Sequence, residues 1–365
     1  MTPRQRVEAV LRRQIPDRTP FTIYESKLLQ CTVERELRNA GLCIVNPRYP
    51  VVELRYREVR VERHEYQKDG ETYIRTVWHT PAGDLTRIDK PAEFTSWQVE
   101  HVFKGPEDYK RLMWLATDPE PVPCYERFLK ARRWLGEDVL LQVNIGATPL
   151  HRIMVDWLGV ETFAEEWVER QDEILRLYNA LADQQRRIFP LIARSPALTV
   201  NYGGNETPEV MGPPRFREYV VPLYNEAAEV LHQHGKLLGA HLDGNNRAWM
   251  KDVAASALDY VEAFTPAPDT DMSLEEALKV WPDKILWINF PSSLHLASTQ
   301  TIVRTTKQLI EAAAPGDRLH PGHYRKYSRR SLAGKFTGYF QSNSRCWMKG
   351  VILHRASSTT PNPSE

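Results

Sequence analysis

The stretch GAHLDGN, residues 239–245, ends a run of small and apolar residues with an imidazole and a carboxylate two positions apart. In a strand, residues i and i+2 point to the same side, so His241 and Asp243 would project together while Leu242 packs the other way. A histidine and a carboxylate so placed bind a divalent metal or exchange a proton. The structural alternative is a buried imidazole satisfied by a carboxylate, with Asp243 capping a helix that starts near Asn246. Polar groups recur at the ends of the other strand-like runs: Tyr24 with Glu25, Asn144, Asn201 with Asn205 and Glu206, Glu262 with Thr265, and Asn289. Tyr24 and Glu206 join His241 and Asp243 as candidate catalytic groups. Asn144, Asn201, Asn205, Glu262 and Asn289 are candidates for substrate contact, although asparagines after strands also serve as turn formers and helix caps. His232 and His234, on or just after a helix, read as solvated, and His295 as an accessory ligand.

Strand-like and helix-like segments alternate along the chain. Helix 4–13 leads through PDRTP to a strand at 21–24. SKLLQCTVERELRNAG reads as a helix, and LCIVN as the next strand. Residues 51–88 break the rhythm with period-two alternation and turn signals at Lys68-Asp69-Gly70 and Pro81-Ala82-Gly83, predicting an inserted antiparallel hairpin or meander. Helices follow at 106–116 and 122–135. DVLLQVN (138–144) has the unbroken apolar core of a strand buried on both faces. Helices 149–158 and 160–191, strand 197–205 and a long helix from Pro213 to about Gly235 come next. In that helix Phe216, Tyr219, Val220, Leu223, Ala227, Val230 and Leu231 share one face. Strand 236–241, helix 246–256, strand 258–264, helix 273–281, strand 284–290 and helix 298–314 complete the pattern. About seven strand–helix units imply a parallel sheet and favour a (β/α)8 TIM barrel over a doubly wound open sheet. Catalytic groups of such a barrel sit where the strand-end residues above fall. No GxGxxG or GxxxxGK[ST] follows any strand.

Composition agrees with a globular enzyme-sized chain: 365 residues, 42% hydrophobic and 26% charged. Cys31, Cys43, Cys124 and Cys346 show no paired spacing, so no disulfide framework or all-cysteine zinc site is indicated. The charged opening MTPRQRVEAVLRRQ lacks an apolar signal core, and no run is long enough to span a bilayer. The expectation is a cytoplasmic protein without a membrane or nucleic-acid partner, acting on a small molecule.

Three segments, in order, resemble the uroporphyrinogen decarboxylase superfamily. TPRQRVEAVLRRQIPDRTPF is similar to its opening helix and its entry to the first strand. PPRFREYVVPLYNEAAEVLHQHGKLLGAHLDGNN is similar to its central helix–strand segment, and LDYVEAFTPAPDTDMSLEEALKVWPDKILWIN to the next two units. The resemblance covers residues 1 to about 318 and implies the TIM barrel. The decarboxylase branch binds a many-carboxylate porphyrinogen with arginines just after strand one, in a segment resembling Met-Arg-Gln-Ala-Gly-Arg. Here Tyr24-Glu25-Ser26-Lys27 stands in that place, and the next arginine is Arg35. The cobalamin-linked methyltransferase branch holds zinc through His-x-Cys after the fifth strand. His241 falls on that histidine and Asp243 on the cysteine, so the resemblance implies zinc at His241 and Asp243, with Glu206 as a further oxygen, and a corrinoid or corrinoid protein as partner. A carboxy-lyase and a non-catalytic ligand-binding barrel are the alternatives.

The last segment differs from the rest. From Leu319 onward there are eight basic residues and one acidic one, giving +7, while residues 1–318 carry −6. LHPGHYRKYSRRS is a poor candidate for an eighth strand, having a Pro and a Gly near its start and no apolar run. One inserted base near Arg318 would account for it: codons exist for Leu319 to Lys335 that, read one base on, give a buried strand, a polar end and a helix start. The expectation is a barrel at 1–318 with a β appendage at 51–88, an aberrant basic tail at 319–365, and unpaired edges on the first and seventh strands.

Overall fold

The computed structural model describes residues 1–92, 95–313 and 349–353, the last group as backbone. The strands in chain order are β1 (Phe21–Tyr24), β2 (Leu42–Asn46), β3 (Val52–Arg55), β4 (Arg60–Lys68), β5 (Glu71–Thr80), β6 (Gly83–Pro91) and β7 (Ser96–Glu100). There follow β8 (Glu120–Pro123), β9 (Val139–Leu141), β10 (Val143–Asn144), β11 (Thr199–Asn201), β12 (Leu237–His241), β13 (Tyr260–Phe264), β14 (Ile285–Asn289) and β15 (Lys349–Leu353). The main sheet is ordered β10-β11-β12-β13-β14-β15-β1-β2-β9. Every pairing in it is parallel except the two made by β15. Its two terminal members, β9 and β10, are consecutive pieces of one run that Gln142 interrupts. Helices on the connections make the molecule mixed α/β.

Two apolar layers hold the sheet. On one side Val7, Val10 and Leu11 pack with Cys43, Val45, Leu140, Tyr260, Ile285 and Trp287. The first three come from helix Pro3–Leu11, which starts at a capping box: the Thr2 hydroxyl accepts from Gln5 N–H, and the Gln5 side chain accepts from Thr2 N–H. On the other side Leu238, Ala240 and Leu242 meet Leu223, Ala227 and Leu231 of helix Val221–His232. Each such leucine contributes about 1.5–3 kcal/mol by leaving water.

The antiparallel insertion is present, with different limits. β4 to β7 form a separate four-stranded meander, so it runs from 60 to 100, beyond the expected end at 88. The chain returns after Pro91 as a fourth strand. The β4–β5 turn is Asp69-Gly70 with φ of 52° and 75°, the pair of positive values that a two-residue hairpin loop requires. β3 instead pairs with β8, whose last two residues, 122 and 123, fall within the helix expected at 122–135. The expected helix 160–191 is two helices, Val160–Glu169 and Gln171–Ala193, separated at Arg170. No Gly or Pro marks that break, although Asp172 and Glu173 suit a helix start. Residues 152–158 wind as a π-helix rather than an α-helix.

The expected unpaired edges on the first and seventh strands are not found. β15 lies between them, antiparallel to both, with Val351 opposite Phe21 and Ile288. An open edge accepts any segment that offers backbone N–H and C=O groups, whatever its direction. Most of the region read as an aberrant tail, including Leu319 to Lys335, lies outside the described residues. Among the described residues no helix is long and apolar enough to cross a membrane.

Candidate functional site

His241 ends β12, and Glu262 stands opposite it in the register of β13. Its ring contacts carboxylates at both nitrogens: Nδ1 is hydrogen-bonded to Glu262 Oε2, and Nε2 lies 3.3 Å from Asp243 Oδ2. The i, i+2 spacing thus brings His241 and Asp243 to one side, while Leu242 is buried in the opposite layer. At the start of the next helix Asp271 accepts from the N–H groups of Asn246 and Arg247.

Glu262 is buried and anchors a polar chain inside the sheet. Asn201 Nδ2 donates to Glu262 Oε2 at 3.4 Å, Gln142 Nε2 donates to Asn201 Oδ1 at 3.3 Å, and the Tyr260 hydroxyl donates to the same oxygen at 2.7 Å. Tyr260 reaches that far because its partner in the neighbouring strand is Gly239. A Cβ there would sit 2.1 Å from the Tyr260 ring. Burial pushes the phenol well up, so Tyr260 stays a donor. The chain Tyr260–Asn201–Glu262–His241 therefore runs from the apolar layer to the strand ends, and Glu262 sets which imidazole nitrogen faces Asp243.

β13 is irregular just after Glu262. Ala263 has φ of 61° and forms a bulge between Glu262 and Phe264 opposite β14. A non-glycine residue in the left-handed region carries strain that its surroundings must hold. Asn289 does so: its Nδ2 donates to Ala263 O at 3.0 Å and to Thr265 Oγ1 at 3.1 Å. Asn289 thus braces the bulge beside Glu262.

A second buried group lies next to the first. Glu206 accepts from Thr148 Oγ1 at 2.8 Å and from Gly204 N–H at 2.7 Å, and it lies 3.3 Å from His151 Nδ1. Burial alone would push the Glu206 carboxyl up, but the His151 and Thr148 contacts hold it below its ordinary value. Burial would likewise depress His151, and Glu206 raises it instead. The two form a buried carboxylate–imidazole contact. His151 carries no strand-end signal in the sequence, although it follows Asn144 by only seven residues.

The remaining candidates are dispersed. Tyr24 precedes the 3-10 turn Glu25–Lys27 and packs on the inner apolar layer. Glu25 pairs with Arg48 at 2.8 Å. Asn144 is exposed and accepts from Gly146 N–H at 2.7 Å, a turn-forming role. Asn205 is exposed with φ of 61°, and its N–H donates to His241 O. His232 is exposed and lies 2.8 Å from Asp259, and His295 packs on the Phe290 ring. Among the described residues no three histidine, cysteine, aspartate or glutamate side chains group as a metal would require. Cys43 is buried in the inner apolar layer, which pushes its thiol up to about 12 and away from thiolate chemistry.

No curated protein matches the chain. A family model described as uroporphyrinogen decarboxylase matches residues 102–324, more than half of the sequence and the part that carries both buried carboxylate–histidine contacts. The chain therefore belongs to the uroporphyrinogen decarboxylase family.

Proposed function

We propose that this chain is an enzyme of the methyltransferase-like branch of its superfamily, acting on a small molecule held over the C-terminal ends of a closed (β/α)8 barrel. The closed reading is supported by the strand order, whose two ends are neighbouring pieces of one chain segment. The observation that carries the activity is the His241 imidazole held between buried Glu262 and half-buried Asp243. His241 moves the proton that methyl transfer to or from a heteroatom requires. Glu262 orients the ring, and Asp243 holds Nε2 until substrate displaces it. The branch is favoured by the segment after β1, where Glu25 is neutralised by Arg48 and no arginine stands from 24 to 34 to receive a many-carboxylate porphyrinogen.

A resident zinc fits the described residues poorly. Two donors, His241 Nε2 and Asp243 Oδ2, face each other, and no third joins them. A corrinoid protein, as methyl carrier, is the partner this reading implies.

The test offers the purified protein methylcobalamin with a small thiol, following corrinoid absorbance, and uroporphyrinogen in parallel, following carbon dioxide release. Methyl transfer that falls about 10²–10⁴-fold in His241→Ala supports the reading. Decarboxylation without methyl transfer, or methyl transfer indifferent to His241, overturns it.

A further inference from the structure

We propose that Arg152 is the anchor for an anionic group, carboxylate or phosphate, on the substrate whose reacting part lies at His241. The assignment rests on the proposed function for a substrate that lies over the strand ends with its reacting part at His241. Arg152 opens the π-helix Arg152–Leu158, next to His151 of the buried contact with Glu206. Single π turns recur at functional sites because they re-aim side chains. Arg152 is half-buried, and among the described residues it makes no ion pair. The other strand-end arginines differ: Arg48 is taken by Glu25, and Arg247 by Asp271 and Glu276. A half-buried guanidinium without an ion-pair partner can take a planar anion, which supplies two parallel hydrogen bonds to it.

Its position links it to His241. An Arg152 terminal nitrogen lies 3.1 Å from where a Cβ on Gly146 would be, so the guanidinium lies over a residue with no side chain. Gly146 O accepts from Gly203 N–H, and a Cβ on the following Gly204 would lie 3.3 Å from His241 Cβ. Between guanidinium and imidazole the strand ends therefore present Gly146 and Gly204, joined through the buried Gly203. Tyr56, from the segment joining β3 to β4, lies close enough to feel the Arg152 charge. Burial pushes its phenol up, and the Arg152 charge draws it back. A small molecule lying on this floor would hold its anion at Arg152 and its reacting atom at His241.

The probes are inorganic phosphate and succinate, each titrated calorimetrically into the full chain at constant ionic strength. At least one should bind with Kd on the order of 1 mM, and Arg152→Gln should weaken it about 10–100-fold, as expected for charge-assisted bonds. Arg152→Lys keeps the charge and loses the fork, so it should fall between, and it carries the test if Arg152→Gln does not fold. His241→Ala should leave anion binding unchanged, which separates this site from the proposed proton chemistry. Preference for phosphate or for succinate identifies the source of the anion. Saturation by neither, or equal affinity in the Arg152 variants, overturns the assignment.

Discussion

Gly239→Ala probes the link between the apolar layer and the site. The new methyl would lie 2.1 Å from Tyr260 Cε2, about half a normal carbon–carbon contact, so the ring must leave its place. Tyr260 would then lose its bonds to Val200 O at 2.9 Å and Asn201 Oδ1 at 2.7 Å. Overpacking costs about 1–3 kcal/mol, and two buried hydrogen bonds contribute about 1 kcal/mol each. The smaller entropy of an alanine in the unfolded chain returns about 0.4–1 kcal/mol. The net loss is about 2–4 kcal/mol, a large share of a typical stability. Urea unfolding followed by tryptophan fluorescence reads it directly, with Trp287 centred 6.3 Å from the Tyr260 ring. A second background isolates the cause. In Tyr260→Val the space is vacant, so adding Gly239→Ala should cost less than about 1 kcal/mol. Equal costs in the two backgrounds would refute the packing argument.

Two further outcomes follow from buried polar groups. Asn289→Ala should destabilise by about 1–3 kcal/mol, because Ala263 O and Thr265 lose the side chain that braces the bulge; a change within about 0.5 kcal/mol in urea unfolding would show that the bulge needs no brace. Lys284 is buried, and desolvation brings its pKa from 10.5 down to about 8. The lysine is charged in both states below pH 8. Between pH 8 and 10.5 the folded state sheds its proton first, so stability should rise with pH across that window, by up to about 3 kcal/mol. Comparing wild type with Lys284→Met across that range checks this, and a constant difference between them would exclude it.

What the sequence made legible was periodic or local. Apolar runs ending in a polar residue located seven parallel strands, and the i, i+2 rule placed His241 beside Asp243. The hairpin at Asp69-Gly70 was readable because few residue pairs tolerate that turn. What escaped depended on register between strands. That His241 meets Glu262, and that Gly239 admits Tyr260, follow from how β12 and β13 align, which neither strand encodes alone. Glu262 and Asn289 were singled out by their strand-end positions alone; that one bonds an imidazole and the other braces a bulge whose central residue is an alanine lay outside that signal. Nothing in the identity of Ala263 announces a left-handed backbone. The π winding at 152–158 gave no periodic signal either, so Arg152 passed as an ordinary helical residue.

The pairing of β1 with β15 also sets an order of events during synthesis. β1 leaves the ribosome near the start, and the segment opposite Phe21 comes about 330 residues later. At about 5–20 residues per second the open edge of β1 waits roughly 20–60 s for its partner. The opposite edge of the sheet, on β14, waits only for the last stretch of chain. Pairing of β15 with β1 and β14 is thus the last made in the main sheet, and any chain cut short of residue 349 leaves the edges of β1 and β14 bare to the cell's aggregation and proteolysis machinery.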